Sequence, residues 1–181
     1  MLILLAGDGV LISTGTDGSG SGRGVPELRP EAGESVRRLN DFGHRVAVLL
    51  DTAGPDGRPF DPDRLERRGA DLRDALLRWG ARVDYMTGFE PPDESRTNDA
   101  RGAGSVRAIL RRFGVPPDEA ILVADELGPL MAAAAAGCRR ILVRSGRGAL
   151  TQSRGLPGSL LPVAVHSDIA AAVDTVLGRG P

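Results

Sequence analysis

Three aspartates in this chain stand where an apolar run gives way to a turn, a place from which a carboxylate can reach a ligand. Asp8 follows LILLA inside Gly7-Asp8-Gly9, Asp51 follows VAVLL, and Asp125 follows ILVA with Glu126 beside it. Carboxylates gathered in one cleft can hold a divalent cation, which takes oxygen ligands, or can drive their pKa values apart into an acid and a base. Gly7 and Gly9 allow a sharp turn and a close approach of backbone to ligand. Each acid also has a plain structural use. Asp8 suits a glycine turn, Asp51 can cap a turn, and Glu126 can open a helix near its positive dipole end.

The segments that must carry these residues alternate between strand and helix. Leu2 to Leu5 is a continuous apolar run, as expected of a strand buried on both faces. Pro30 can start a helix with Ala32, Val36 and Leu39 on one face, followed by a strand over Val46 to Leu50. Asp61 and Pro62 predict the start of a helix whose face carries Leu65, Leu72, Leu76 and Trp79. Further strands are predicted over 83–86, 121–124, 141–143 and, at the end, 163–165. Helices are predicted around Val106, Ile109, Leu110 and Phe113, over 127–136, and around Ile169, Val173, Val176 and Leu177. Strands separated by helices predict an α/β fold, a Rossmann-like three-layer sandwich on a central parallel sheet of five to six strands. The ligand cleft of such a sheet lies beyond the carboxyl ends of its strands, which brings Ala6 to Gly9, Asp51 to Gly54, and Asp125 with Glu126 together.

Length and composition are those of one ordinary globular domain over 1–181, 41% hydrophobic and 26% charged with a formal net charge of -1. That balance gives no basic face for nucleic acid. No apolar stretch reaches the eighteen or so residues of a membrane span, and no basic leader precedes the first apolar run, so a cytoplasmic protein is expected. The single cysteine, Cys138, excludes an internal disulfide and is expected as a small buried residue. All 23 basic residues are arginine, as a GC-rich bacterial genome would favour, and no catalytic lysine is available. Residues 13–24 form a glycine-rich loop or flap, the C-terminal strand and helix span about 162–178, and no insertion is long enough for a large cap domain.

LLAGDGV is similar to the first motif of the haloacid dehalogenase (HAD)-like phosphatases, a strand ending in Asp, any residue, Asp, Gly and Thr or Val. GVPPDEAILVADELGPLMAAAAAGCRRILV resembles that family's strand ending in Gly-Asp, followed by a helix ending in Ala-Ala-Gly. RPEAGESVRRLNDFGHRVAVLLDTAG and FDPDRLERRGADLRDALLRWGARVDYM resemble the histidinol-phosphate and heptose bisphosphate phosphatase branch. The resemblance implies a nucleophilic aspartate that becomes an aspartyl phosphate, and its position holds Ala6. It assigns Asp8 the acid/base role. The hydroxyl that would hold the phosphoryl group falls on Leu50, with Thr52 nearest, and the lysine falls on Ala100, with Arg101 beside it. Mg2+ is the implied cofactor, with Asp125 and Asp8 at the metal positions and Pro129 where the second fourth-motif acid belongs. The cysteines and histidines of the heptose branch's zinc site have no counterpart in FEPPDESRTN. Taking Asp8 as nucleophile does not help, since the acid then falls on Val10.

Two functions follow. The first is a catalytically degenerate phosphatase-like domain, a pseudoenzyme that binds a phosphorylated small molecule through Gly7, Gly9, Asp51, Thr52 and Arg101, or serves as a scaffold for a protein partner. The alternative is an enzyme of altered chemistry, a hydrolase of a phosphorylated sugar or small metabolite using Asp8, Asp51 and Asp125 with a divalent cation. A homo-oligomer would close the uncapped cleft. Other motifs fail: Ile12 takes the third glycine's place in a dinucleotide fingerprint, and no Gly-Lys-Ser/Thr follows Gly18 to Gly24. His44 and His166 are expected to be surface or capping residues, and Ala132 to Ala136 a close-packed helix face.

Overall fold

Leu2, Ile3, Leu4 and Leu5 are wholly buried, because the strand that carries them lies in the middle of the sheet and is covered on both faces. Truncating one such leucine to alanine costs about 2–5 kcal/mol. The computed structural model describes residues 1–13, 27–53, 58–90 and 101–179. Within them, β1 (Leu2–Ala6), β2 (Arg45–Asp51), β3 (Tyr85–Phe89), β4 (Ala120–Ala124), β5 (Arg139–Val143) and β6 (Ala164–His166) form one sheet in the order β3-β2-β1-β4-β5-β6. Every pairing is parallel. The helices are α1 (Ala32–Asp41), α2 (Pro62–Leu77), α3 (Arg101–Phe113), α4 (Leu127–Ala136), α5 (Gly148–Ser153) and α6 (Ile169–Val176). α1 touches α2 and α6, α3 packs on α4, and the two groups sandwich the sheet. This is the expected three-layer Rossmann-like α/β fold, with no large cap among the described residues. The strand order reverses between β1 and β4, so the crevice of the sheet opens where Ala6 and Ala124 end their strands.

Local chemistry sets the boundaries. Asp61 caps α2 by accepting the Arg64 N–H at 2.7 Å, with Pro62 in the first turn. Asp168 caps α6 through the Ala171 N–H, and α4 ends at Gly137 in the left-handed conformation. Most strands run a residue or two beyond their predicted ends, and other differences from the sequence reading have local causes. β3 begins at Tyr85 and not at Val83, because the Asp84 carboxylate accepts the Val46 N–H at 2.7 Å and takes the place of a ladder bond. Trp79 lies beyond the end of α2, about half exposed and against Gly33 of α1, where a Cβ would run into the indole ring. The segment after β5, for which no helix was predicted, holds α5. β6 starts one residue late, at Ala164, and includes His166, whose Nε2 is buried without a hydrogen-bond partner. Cys138 is buried as expected. The loop or flap read at 13–24 lies outside the described residues except for Ser13, whose N–H donates to Glu27 O. No helix among the described residues is long and apolar enough to cross a membrane.

Candidate active site

At the carboxyl end of β1 the chain folds back on itself. The Gly7 N–H donates to Leu49 O at 2.8 Å, and Gly7 O accepts the N–H groups of Leu11 and Ile12. This tight knot lifts Asp8 out of the sheet. Ala6, two residues before Asp8, presents only a methyl group and is buried. Leu50, at the position the resemblance gives to a hydroxyl, is buried against the Cα of Gly7, leaving no space there for a Cβ.

Asp8 is paired with an arginine that the sequence reading did not single out. Arg68, in the second turn of α2, donates Nη2 to both Asp8 carboxylate oxygens, at 2.8 and 3.0 Å. Both side chains are about 80% buried, at 19% and 20% exposure. Arg68 Nη1 reaches Asp51 O at 3.4 Å, and the guanidinium lies 4.9 Å from the centre of the Phe60 ring, which Arg64 also covers. The spacing of four residues puts Arg64 and Arg68 on one face of α2. In a helix reading PDRLERRGADLR, nothing local marks which arginine faces the cleft.

Asp125 is held differently. Its Oδ2 accepts the backbone N–H of Arg147 at 2.9 Å, and its carbonyl accepts the Thr151 hydroxyl at 2.8 Å. Gly9, at φ +75°, and Gly146, at φ +58°, close around the carboxylate, and a Cβ at either would overlap Oδ2. The Ser145 hydroxyl ties the two loops by donating to Gly9 O at 3.2 Å. Arg147, Ser145, Gly146 and Thr151 were not candidates from sequence, since a backbone N–H, two hydroxyls and a tight glycine turn closing a loop are signalled by no motif.

The strands that end near Asp51, Asp8 and Asp125 are neighbours in the sheet, and the charges of the three acids act on one another. Burial pushes the Asp51 carboxyl up to about 7, with Asp8, Glu126 and Asp125 adding negative charge and Arg68 opposing. Burial likewise pushes Asp125 up to about 7, with the Arg147 N–H opposing and Glu126 and Asp8 reinforcing. Both therefore change charge near neutral pH. Glu126 precedes α4 and pairs with Arg147 Nη1 at 2.9 Å. Thr52 faces elsewhere: its hydroxyl donates to Phe89 O at 3.2 Å, at the end of β3. Arg101 opens α3, and its side chain lies outside the described residues.

Magnesium requires near-octahedral oxygen ligands. Among the described residues no three acidic, histidine or cysteine side chains are grouped to hold a metal ion. Asp8 accepts the Arg68 guanidinium on both oxygens, Asp125 accepts the Arg147 N–H on Oδ2, and Ala6 has no oxygen to offer. As arranged here, Asp8 and Asp125 do not fit the ion that the family resemblance implies.

Known proteins match this chain in both sequence and shape. The HAD-hydrolase-like family model matches residues 102–172. A D-glycero-beta-D-manno-heptose-1,7-bisphosphate 7-phosphatase of Pseudomonas aeruginosa is 30% identical over 150 residues, covering 82% of either chain. The crystal structure of D,D-heptose 1,7-bisphosphate phosphatase from B. bronchiseptica, complexed with magnesium and phosphate, superposes with a TM-score of 0.79 at 27% identity over 99% of both chains. The corresponding enzyme of Burkholderia thailandensis gives a TM-score of 0.74 at 28% identity over 97% of both. The topology, the placement of Asp8 and Asp125 at neighbouring strand ends, and these likenesses agree: the chain belongs to the HAD-like phosphatase family and resembles its heptose bisphosphate phosphatases along nearly its whole length.

Proposed function

We propose that this chain binds a phosphorylated sugar of the kind its relatives are named for, in the cleft bounded by Asp8, Asp51 and Asp125, and that it forms no aspartyl phosphate. The observation that carries the second half is Ala6, whose methyl group occupies the strand end from which a carboxylate would attack phosphorus. Leu50, packed against Gly7, removes the accompanying hydroxyl, so the apolar character of that corner involves more than one residue. Asp8 is engaged by Arg68 and acts as part of the binding surface. The products of this reading are a cytoplasmic, non-covalent sugar-phosphate binder, with any protein partner or second copy closing an uncapped cleft.

Calorimetric titration with heptose 1,7-bisphosphate, together with a phosphate-release assay and trapping of a phosphorylated protein, tests this directly. Saturable binding is expected, with no hydroxylamine-sensitive phosphoprotein in the wild type. Detection of that phosphoprotein would overturn the reading.

A second reading is favoured by one observation, the carboxyls of Asp51 and Asp125 both poised near 7. Groups that exchange protons near neutral pH are suited to general acid/base catalysis. In this reading one carboxylate takes a proton from water as the water oxygen attacks phosphorus, the P–O bond to the sugar breaks, the other carboxyl protonates the departing sugar oxygen, and no covalent intermediate forms. The same assays separate the two, because phosphate release without a phosphoprotein, lost in Asp51→Asn, belongs to the second reading alone.

A further inference from the structure

The cleft collects acidic groups from three strand ends, yet among the described residues it shows no set of side chains arranged around a metal ion. What stands among them is the Arg68 guanidinium. Four features fix it there. Nη2 bridges both oxygens of Asp8, Nη1 points to the carbonyl of Asp51, one face lies over the Phe60 ring, and its stem rises from α2 next to the buried Gly69 and Leu72. A planar cation held on both its edge and its face loses little freedom in staying, and it is only about one-fifth exposed. One positive charge in contact with two strand ends supplies beside Asp8 the countercharge that a bound cation would otherwise bring.

We propose that Arg68 is the resident cation of this cleft, standing in place of a divalent metal ion, so that the folded chain is indifferent to magnesium and manganese. This goes beyond the proposed ligand and does not depend on it, since the probe is the metal alone. A phosphoryl group entering the cleft meets a guanidinium fixed by Phe60, a donor geometry suited to phosphate oxygens.

The test uses the full chain, treated with chelator and then titrated with Mn2+ or Mg2+. Manganese binding is followed by electron paramagnetic resonance and magnesium by thermal unfolding. The wild type is expected to show no saturable manganese binding and no shift of its unfolding midpoint. Arg68→Gln, which frees both Asp8 oxygens, is expected to gain manganese affinity by roughly tenfold or more, the factor that corresponds to about 1.4 kcal/mol. Saturable manganese binding by the wild type, or a folded Arg68→Gln that stays silent, would overturn the proposal. If Arg68→Gln does not fold, the double variant Asp8→Asn, Arg68→Gln removes both charges together. Rescue of folding by the second change confirms that Arg68 balances Asp8, and failure of the rescue counts against it.

Discussion

Asp8 and Asp125 stand at neighbouring strand ends and face the same cleft, but they are held by opposite means. Asp125 sits in a holder made of backbone: one N–H from Arg147, and two glycines whose missing side chains leave room for the carboxylate. Asp8 sits against a side chain, the Arg68 guanidinium sent across from α2. The family model covers residues 102–172, which supply Asp125, Gly146 and Arg147 of the backbone holder, while Gly9 comes from outside that segment. The apolar replacements at the nucleophile and hydroxyl positions, Ala6 and Leu50, also lie outside it. The contrast teaches that two carboxylates at neighbouring strand ends can be held by different partners, one by backbone and one by a side-chain cation. Position comes from the strand and turn, and charge balance comes from whatever can reach.

Four perturbations test how far the two holders differ. The largest effect is expected for Gly9→Ala, which forces a Cβ onto Asp125 Oδ2 in a left-handed backbone conformation. A loss of about 3–4 kcal/mol in urea unfolding is expected, and a loss below about 1 kcal/mol would show that the cradle yields. Next comes Asp125→Asn, measured as stability against pH. The folded carboxyl keeps its proton up to about 7, against an ordinary value of 3.8, so the folded chain binds more protons between those limits. The contribution of Asp125 to stability is therefore full below pH 4 and is lost as the pH rises through 7. Replacing it with asparagine is expected to flatten the wild-type decline by up to about 1.4 kcal/mol per pH unit.

A smaller effect is expected for Asp8→Asn, which keeps the shape of the pair and removes its charge. About 1.5 kcal/mol is expected, since a charged hydrogen bond is weakened and Arg68 is left as a partly buried cation. An effect as large as that of Gly9→Ala would mean that the guanidinium holder is as demanding as the backbone one. The smallest is Asp61→Ala, which removes the cap of the helix carrying Arg68. About 1 kcal/mol of stability is expected to go, with no change in the pH profile that Asp125 sets. Circular dichroism melts at several pH values would check both parts.

The strands and most helices were legible because burial on both faces leaves a continuous apolar run, as in LILL and ILVA, and because caps such as Asp61 act on their own first turn. β3 was misplaced by two residues because Asp84 replaces a ladder bond with its side chain, an interaction with Val46 across 38 positions of sequence. Trp79 was misread because its apolar ring suits a helix face equally well whether it packs within the helix or, as here, beyond its end on Gly33. In the site, Asp8, Asp51 and Asp125 were readable from their places after apolar runs. Arg68 was not, because α2 carries several arginines with the same local context.

The sequence by itself determined which side chains are available: three strand-end aspartates, a methyl group at Ala6, a leucine at position 50, and no lysine anywhere. Composition and spacing are properties of the chain, and folding leaves them unchanged. Only the tertiary structure decided the partners, with Arg68 on Asp8 across 60 residues and Arg147 on Asp125 across 22. Electrostatic and hydrogen-bond energies depend on distance in space and on burial, and both are set by how α2 and the β5–α5 loop close over the strand ends.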